Sequence, residues 1–353
     1  MRRAGGDASR YQMLPVRSWS GMFAHTVDDS REIARRAALK RLAALAALPV
    51  IAGAFDIAAA APLSYPLKPV RIGEGIWVLY GVPEPIDRAN GGAIANITIF
   101  DTAEGAVVVD TGPSRRYGIA LDACVRELTG KPVVRVYLTH FHPDHVFGNQ
   151  AFDAHAIATP QGVIDGLASL GEDFASAMYH AAGDWMRGTE LVLPAKAVTD
   201  GVEEIGGRRF ALKSLGGHTP SDLALIEETT DILVAGDLVF LDRAPTTPHA
   251  DLNRWRESLG ALAAIKATHV VPGHGPVEAT SRGLEQTREW LDLVEETIRA
   301  AFDRGLSINE AMAIPLPAWT DEIALSRYEF ERSVMHFFPK LEAGQWPRVD
   351  TKI

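Results

Sequence analysis

The sequence predicts an α/β fold: a four-layer αβ/βα sandwich, in which two mixed β-sheets lie between flanking helices. Three observations carry this expectation. Short runs rich in β-branched and aromatic residues come first in hairpin-like succession and then alternate with helix-period segments. Setting aside a basic, alanine-rich N-terminal stretch and a helical tail leaves about 220 residues, the size of one α/β unit. Four of the β-like runs lead into short segments bearing histidine or carboxylate, so one sheet edge can gather them.

Residues 1–60 read as an N-terminal extension with an export signal. Arg35-Arg36-Ala37-Ala38-Leu39-Lys40 precedes an apolar stretch over residues 42–55 and then Ala58-Ala59-Ala60-Ala61-Pro62, the layout of charge, hydrophobic core and small-residue cleavage site. The paired arginines resemble a twin-arginine signal, although Ala38 stands where that signal usually has Phe, which leaves the Sec route open. Cleavage is expected after Ala60, with Met22 an alternative start, and delivery to the periplasm follows from this reading. About 14 apolar residues interrupted by Pro49 are too few for a stable membrane span.

Residues 61–280 form the expected catalytic domain. Strands are expected at 76–80, 94–100 and 106–109, a helix at 114–128, and a strand at 133–138. Helical patterns at 162–170 and 174–185 could flank a site. Further strands fall at 209–215, 223–227, 232–235 and 269–271, with a helix at 252–265. Residues 281–353 form a helical extension, with apolar positions at helix spacing over 283–303 and a capping box at Ser307-Ile308-Asn309-Glu310. A third helix is expected at 328–341. This tail reads as packing or a homodimer surface in preference to a substrate lid, its aromatics Trp319, Phe330, Phe337 and Phe338 serving core or interface. Cys124, the sole cysteine, sits in an amphipathic pattern and reads as a buried small hydrophobe.

The chemistry lies in the four segments. Thr139-His140-Phe141-His142-Pro143-Asp144-His145 follows the apolar run 133–138; Gly216-Gly217-His218, Ala235-Gly236-Asp237 and Pro272-Gly273-His274-Gly275 follow three later β-like stretches. His140 and His142, two apart on extended backbone, point the same way. Pro143 suits a first helical turn, so Asp144 and His145 are directed elsewhere. One segment can thus face two adjacent metal positions. Imidazole and carboxylate suit zinc, and also iron or manganese. Each later residue alone would read as a turn residue; the set points to metal.

These motifs resemble the metallo-β-lactamase superfamily over residues 69 to 277, including the approach strand Val107-Val108-Val109-Asp110-Thr111-Gly112. The resemblance implies that His140, His142 and His218 hold one metal, that Asp144, His145 and His274 hold a second, and that Asp237 bridges them. The zinc β-lactamases of the first two subclasses have Cys where this chain has Asp237, which puts lactam hydrolysis in doubt. Tyr65-Pro66-Leu67-Lys68-Pro69-Val70, Asn90-Gly91-Gly92-Ala93-Ile94, the segment at 110–118 and Asp242-Arg243-Ala244-Pro245-Thr246-Thr247-Pro248-His249 resemble the quinoprotein relay system zinc metallohydrolases, implying a periplasmic quinoprotein system as partner.

The expected function is an exported dinuclear zinc hydrolase. Two metals sharing a hydroxide would give a nucleophile near pH 7 for an ester, thioester or amide bond. Asp144 is a candidate for handling the leaving-group proton. His249 and Asn90 are candidate substrate contacts, each with an ordinary loop role as its alternative. Resemblance also admits a mononuclear iron dioxygenase acting on sulfur compounds, or a non-catalytic metal-binding accessory. The net charge of −10 overall leaves −14 on the residues after position 60, which argues against nucleic acid as a partner. The expected partner is a small-molecule substrate.

Overall fold

The computed structural model describes residues 63–345. The export signal, its cleavage point and the alternative start lie outside the described residues. The first sheet opens as an antiparallel meander of β1 (Pro69–Gly73), β2 (Ile76–Leu79), β3 (Ile97–Asp101) and β4 (Ala106–Val109). It continues in parallel through β5 (Val133–Tyr137), β6 (Ile157–Pro160) and β7 (Lys196–Val198). Parallel neighbours require crossovers; here α1 (Arg115–Thr129), α2 (Pro143–Val146) and α3 (Gln161–Ala182) supply them.

The second sheet runs antiparallel through β8 (Gly201–Ile205), β9 (Arg208–Leu215), β10 (Asp222–Glu227) and β11 (Ile232–Phe240). After α4 (Leu252–Ala263), β12 (His269–His274) joins β11 in parallel. Three helices follow: α5 (Arg282–Asp303), α6 (Ile308–Met312) and α7 (Ser326–Gln345).

Strand alternation builds the layers. Val107 and Val109 of β4 join Phe100, Tyr137, Phe210, Leu223 and Val271 in a core between the two sheets. Their neighbours Ala106 and Val108 face outward, against Tyr117, Leu121 and Val125 of α1. On the far side, Phe240 and Val270 pack with Trp255 of α4, Trp290 of α5 and Phe330 of α7. Two mixed sheets flanked by helices are therefore what the chain forms. Trp255, Trp290 and Phe330 are fully buried, and each such side chain contributes on the order of 2–3 kcal/mol. The tail thus shares one core with the second sheet: Phe338 is also buried, Phe337 partly so, and Trp319 is exposed.

Several local expectations need correction. Residues 162–185 do not make two helices; α3 is one helix of 22 residues followed by a short 3-10 turn at Gly183–Met186. Gly166 and Gly171 inside it let Phe141 and Leu191 pack closely, so these glycines serve contacts rather than breaks. Asp237 and His274 lie within strands, not after them. β11 runs on to Phe240 because its register against β12 shifts at Gly236, where φ is +53°, allowing the strand to bend and continue. Cys124 is half-buried on α1, where burial raises its thiol above the usual range. The Ser307–Glu310 capping box forms as expected.

Candidate metal centre and overlying cleft

The seven candidate ligands come together in two groups. His140, His142, His218 and Asp237 form one; Asp144, His145 and His274 form the other, and all seven are buried. Within each group the ligand atoms lie within 4.8 Å of one another. The Asp237 carboxylate reaches both: Oδ2 is 3.3 Å from His218 Nε2 and 3.8 Å from His140 Nε2, while Oδ1 is 3.2 Å from His145 Nε2. His274 Nε2 stands 3.3 Å from Asp237 Oδ2 and 3.4 Å from Asp144 Oδ2.

Local structure explains this convergence. β5 ends at Tyr137, and extended backbone carries His140 and His142 to the sheet edge before Pro143 opens α2. His142 has φ −71° and ψ 150°, the extended conformation expected before proline. At β12, a Cβ on Gly273 would collide with Oδ1 and the backbone nitrogen of Asp237, so only glycine lets the two strands present their ligands side by side.

The far nitrogens of the rings are fixed. His145 Nδ1 is 2.8 Å from Asp110 Oδ2, and His274 Nδ1 is 2.7 Å from the carbonyl of Ile94. His140 Nδ1 is 2.9 Å from Thr139 Oγ1. These bonds select tautomers that leave Nε2 available. His142 is turned the other way: Nδ1 lies 2.8 Å from His218 Nε2, and Nε2 lies 2.8 Å from His249 Nδ1.

The groups fit metal ions. His140 Nε2, His145 Nε2 and Asp237 Oδ1 are buried without hydrogen-bond partners, which is costly for polar atoms unless a cation takes their lone pairs. Burial, reinforced by neighbouring imidazoles, holds His140 and His142 well below the usual histidine range and brings His218 to about 3. These rings are neutral and ready to ligate. Burial opposes charge on His145 too, but Asp237, Asp144 and Asp110 raise it well above that range. Burial alone would raise Asp237; the surrounding imidazoles of His274, His145, His140 and His218 hold it well below the carboxylate range instead.

A cavity of about 340 Å³ opens over the groups, with His142, Asp144, Asp237 and His274 in its floor. Ile86, Ile94, Phe174 and Met178 give it an apolar side. The tail, expected to pack or dimerise, supplies another wall: Tyr328, Glu329 and Arg332 of α7 line the cleft together with Arg243. His249 lines it as well. Asn90, the other candidate substrate contact, does not line this cavity. Its Oδ1 accepts from the backbone of Asp87 and Gly92, and its Nδ2 donates to the carbonyl of Pro85, so its side chain organises the turn.

Two contributors escaped the sequence reading. Asp110 sits at the end of an apolar strand, the same signal that singles out Asp237, but nothing in the sequence marks it as the partner of a metal-facing ring. The α7 residues carried no signal, because nothing local links them to segments fifty or more residues earlier.

The chain spans 48% of the length of one curated relative, the linear primary-alkylsulfatase of Pseudomonas sp. (strain ATCC 19151), with 22% identity over 60% of this chain. The metallo-beta-lactamase IND-1 of Chryseobacterium indologenes is 25% identical over 51% of this chain and 71% of its own length. Among solved structures, a double mutant of the sec-alkyl sulfatase PisA1 superposes with a TM-score of 0.59 at 18% identity, covering 80% of this chain and 52% of that one. A model of the metallo-beta-lactamase superfamily matches residues 90–274, just over half of the sequence and spanning all seven converging ligands, and so this chain belongs to the metallo-beta-lactamase superfamily.

Proposed function

We propose that the protein is a dinuclear zinc hydrolase that cleaves an ester, thioester or amide bond of a small molecule. The observation that carries this reading is the Asp237 carboxylate, which lies within 3.3 Å of a histidine Nε2 from each of the two ligand groups under one open cleft. His140, His142, His218 and Asp237 would hold one ion, and Asp144, His145, His274 and Asp237 the other. Bound there, two dications supply an acidified water and polarise the bond to be broken. The chain's own work is placement. Asp110, Ile94, Thr139 and His249 fix the rings. Asp144 lies in the cleft floor, 3.5 Å from His145 Nε2; the leaving-group proton would come from metal-bound water, or from Asp144 once it has left the metal and taken up a proton.

Nitrogen and oxygen donors without thiolate suit zinc, with iron or manganese as alternatives. Arg35-Arg36 before an apolar, alanine-rich stretch supports export to the periplasm. The motif resemblance further supports a place beside a periplasmic quinoprotein system. Metal analysis of purified protein should give about two zinc per chain. A panel of carboxyl esters, thioesters, a lactam and a primary alkyl sulfate should then show turnover lost in His142→Ala with the fold retained. The sulfate belongs in that panel because of the similarity to alkylsulfatases. One iron per chain with thiol-dependent oxygen uptake would overturn the hydrolase reading.

A further inference from the structure

The wall that α7 contributes is charged in an unusual way. Glu329 is fully buried and serves two guanidinium groups, Arg243 at 3.5 Å and Arg332 at 2.9 Å, while also accepting from Thr246 Oγ1. One carboxylate thus faces two cations, and the wall holds one positive charge in excess. Arg243 is the buried member, covered in the core-facing part of the wall. Arg332 is the open one, with 37% of its side chain accessible.

Arg332 is also held in place. Its Nη1 donates to both oxygens of Glu329, at 3.1 and 2.9 Å, and its guanidinium lies 5.5 Å from the centre of the Tyr328 ring. Its Nε and Nη2 have no hydrogen-bond partner among the described residues. A guanidinium pinned on one nitrogen with its remaining donors free is preorganised for a planar anion, which it can bind through two parallel hydrogen bonds. The apolar part of the cleft comes from Ile86, Ile94, Phe174, Ala177, Met178 and Ala181, with the ligand groups as its floor.

We propose that the substrate is amphipathic, with an apolar body against the α3 side of the cleft and a carboxylate, remote from the scissile bond, held by Arg332. This assignment rests on the hydrolase reading and names the substrate class for that same site. The carboxylate docks on the fork that Glu329 and Tyr328 orient. That anchorage sets where the scissile group lies over the ligand floor, so α7 is the specificity element.

The test compares the 4-nitrophenyl monoester of glutaric acid with 4-nitrophenyl pentanoate, which share chain length and leaving group and differ in the terminal charge. Wild-type protein should favour the anionic ester in kcat/KM. Arg332→Gln should lower the ratio of the two kcat/KM values about ten- to hundredfold, mostly through KM for the anionic ester. A purely structural role would lower both values together and leave the ratio unchanged, and that result overturns the proposal. Should Arg332→Gln fail to fold, Arg332→Lys keeps a cation beside Glu329 but removes the fork; its ratio should fall severalfold, and an unchanged ratio again overturns the proposal. Calorimetric titration with glutarate at matched metal content gives a readout independent of turnover: binding at least tenfold weaker in Arg332→Gln supports the assignment, and equal binding overturns it. Failure of wild-type protein to cleave either ester, with glutarate binding still dependent on Arg332, would count against hydrolysis while leaving the anion site standing.

Discussion

Asp110 Oδ2 lies 2.8 Å from His145 Nδ1, and through Thr139 the same carboxylate governs His140 as well. Thr139 donates its hydroxyl proton to Asp110, which leaves the hydroxyl oxygen to accept from His140 Nδ1–H. One carboxylate therefore sets the tautomer of a ring in each ligand group, and both Nε2 atoms face inward without partners. Asp110 holds this position at φ +65°, a left-handed backbone that Asn also tolerates.

Asp110→Asn consequently isolates the charge from the backbone geometry. Metal affinity should fall about ten- to hundredfold at both positions, the scale typical of partners behind metal ligands. Competition with a chromophoric chelator measures it. Two zinc ions held as tightly as in wild type would contradict the role given to Asp110.

Gly273→Ala tests how the bridge is positioned. The added Cβ meets Asp237 Oδ1 and the Asp237 backbone nitrogen, so β11 and β12 must part or the carboxylate must swing away. A misplacement of about 1 Å costs on the order of a hundredfold in rate. The expected protein is folded by circular dichroism, binds fewer than two zinc ions and has lost at least that factor in kcat/KM. Full activity would show that Asp237 need not sit where it does.

How far the sequence disclosed this site depends on the range of the signals. The His140–His145 segment is local: spacing on extended backbone and a proline-started turn dictate its directions, and the structure follows them. His218, Asp237 and His274 were legible as glycine-flanked residues near strand ends. The continuation of β11 through Asp237 to Phe240 was not, because it depends on a register shift against β12 that only strand pairing produces. The edge strands β1, β7 and β8 were unreadable for a related reason. They are short and largely polar or exposed, so tertiary pairing rather than residue preference makes them strands. His249 was legible as a loop residue near the site, whereas its hydrogen bond to His142 needs the folded loop.

Asp222 gives a pH signature. Burial, aided by the charge of Asp237, outweighs its hydrogen bonds from Thr219 and pushes it up to about 7 from 3.8. Between those values the folded protein retains a proton that the unfolded chain releases. The contribution of this residue to stability therefore falls as pH rises from about 4 to 7, by up to roughly 4 kcal/mol. Asp222→Asn should remove that slope. Urea unfolding of metal-free wild type and variant at pH 5 and pH 8 compares them: the variant should gain relative stability at pH 8, and a difference independent of pH would refute the assignment.

Metal removal should cost stability as well as activity. Five imidazoles and two carboxylates are packed into a space where four of their polar atoms have no hydrogen-bond partner, so the unliganded centre carries unrelieved desolvation. Ions that bind only the folded chain stabilise it by about 2.7 kcal/mol for each site filled at a hundred times its dissociation constant. For a domain of this size that corresponds to about 5–10 °C per site. Chelation followed by stepwise zinc addition under differential scanning calorimetry should raise Tm in two increments, and Asp237→Ala, which removes the shared ligand, should merge or abolish them. A Tm indifferent to chelator would mean that these seven side chains do not form a metal site, since their burial would then have been compensated in some other way.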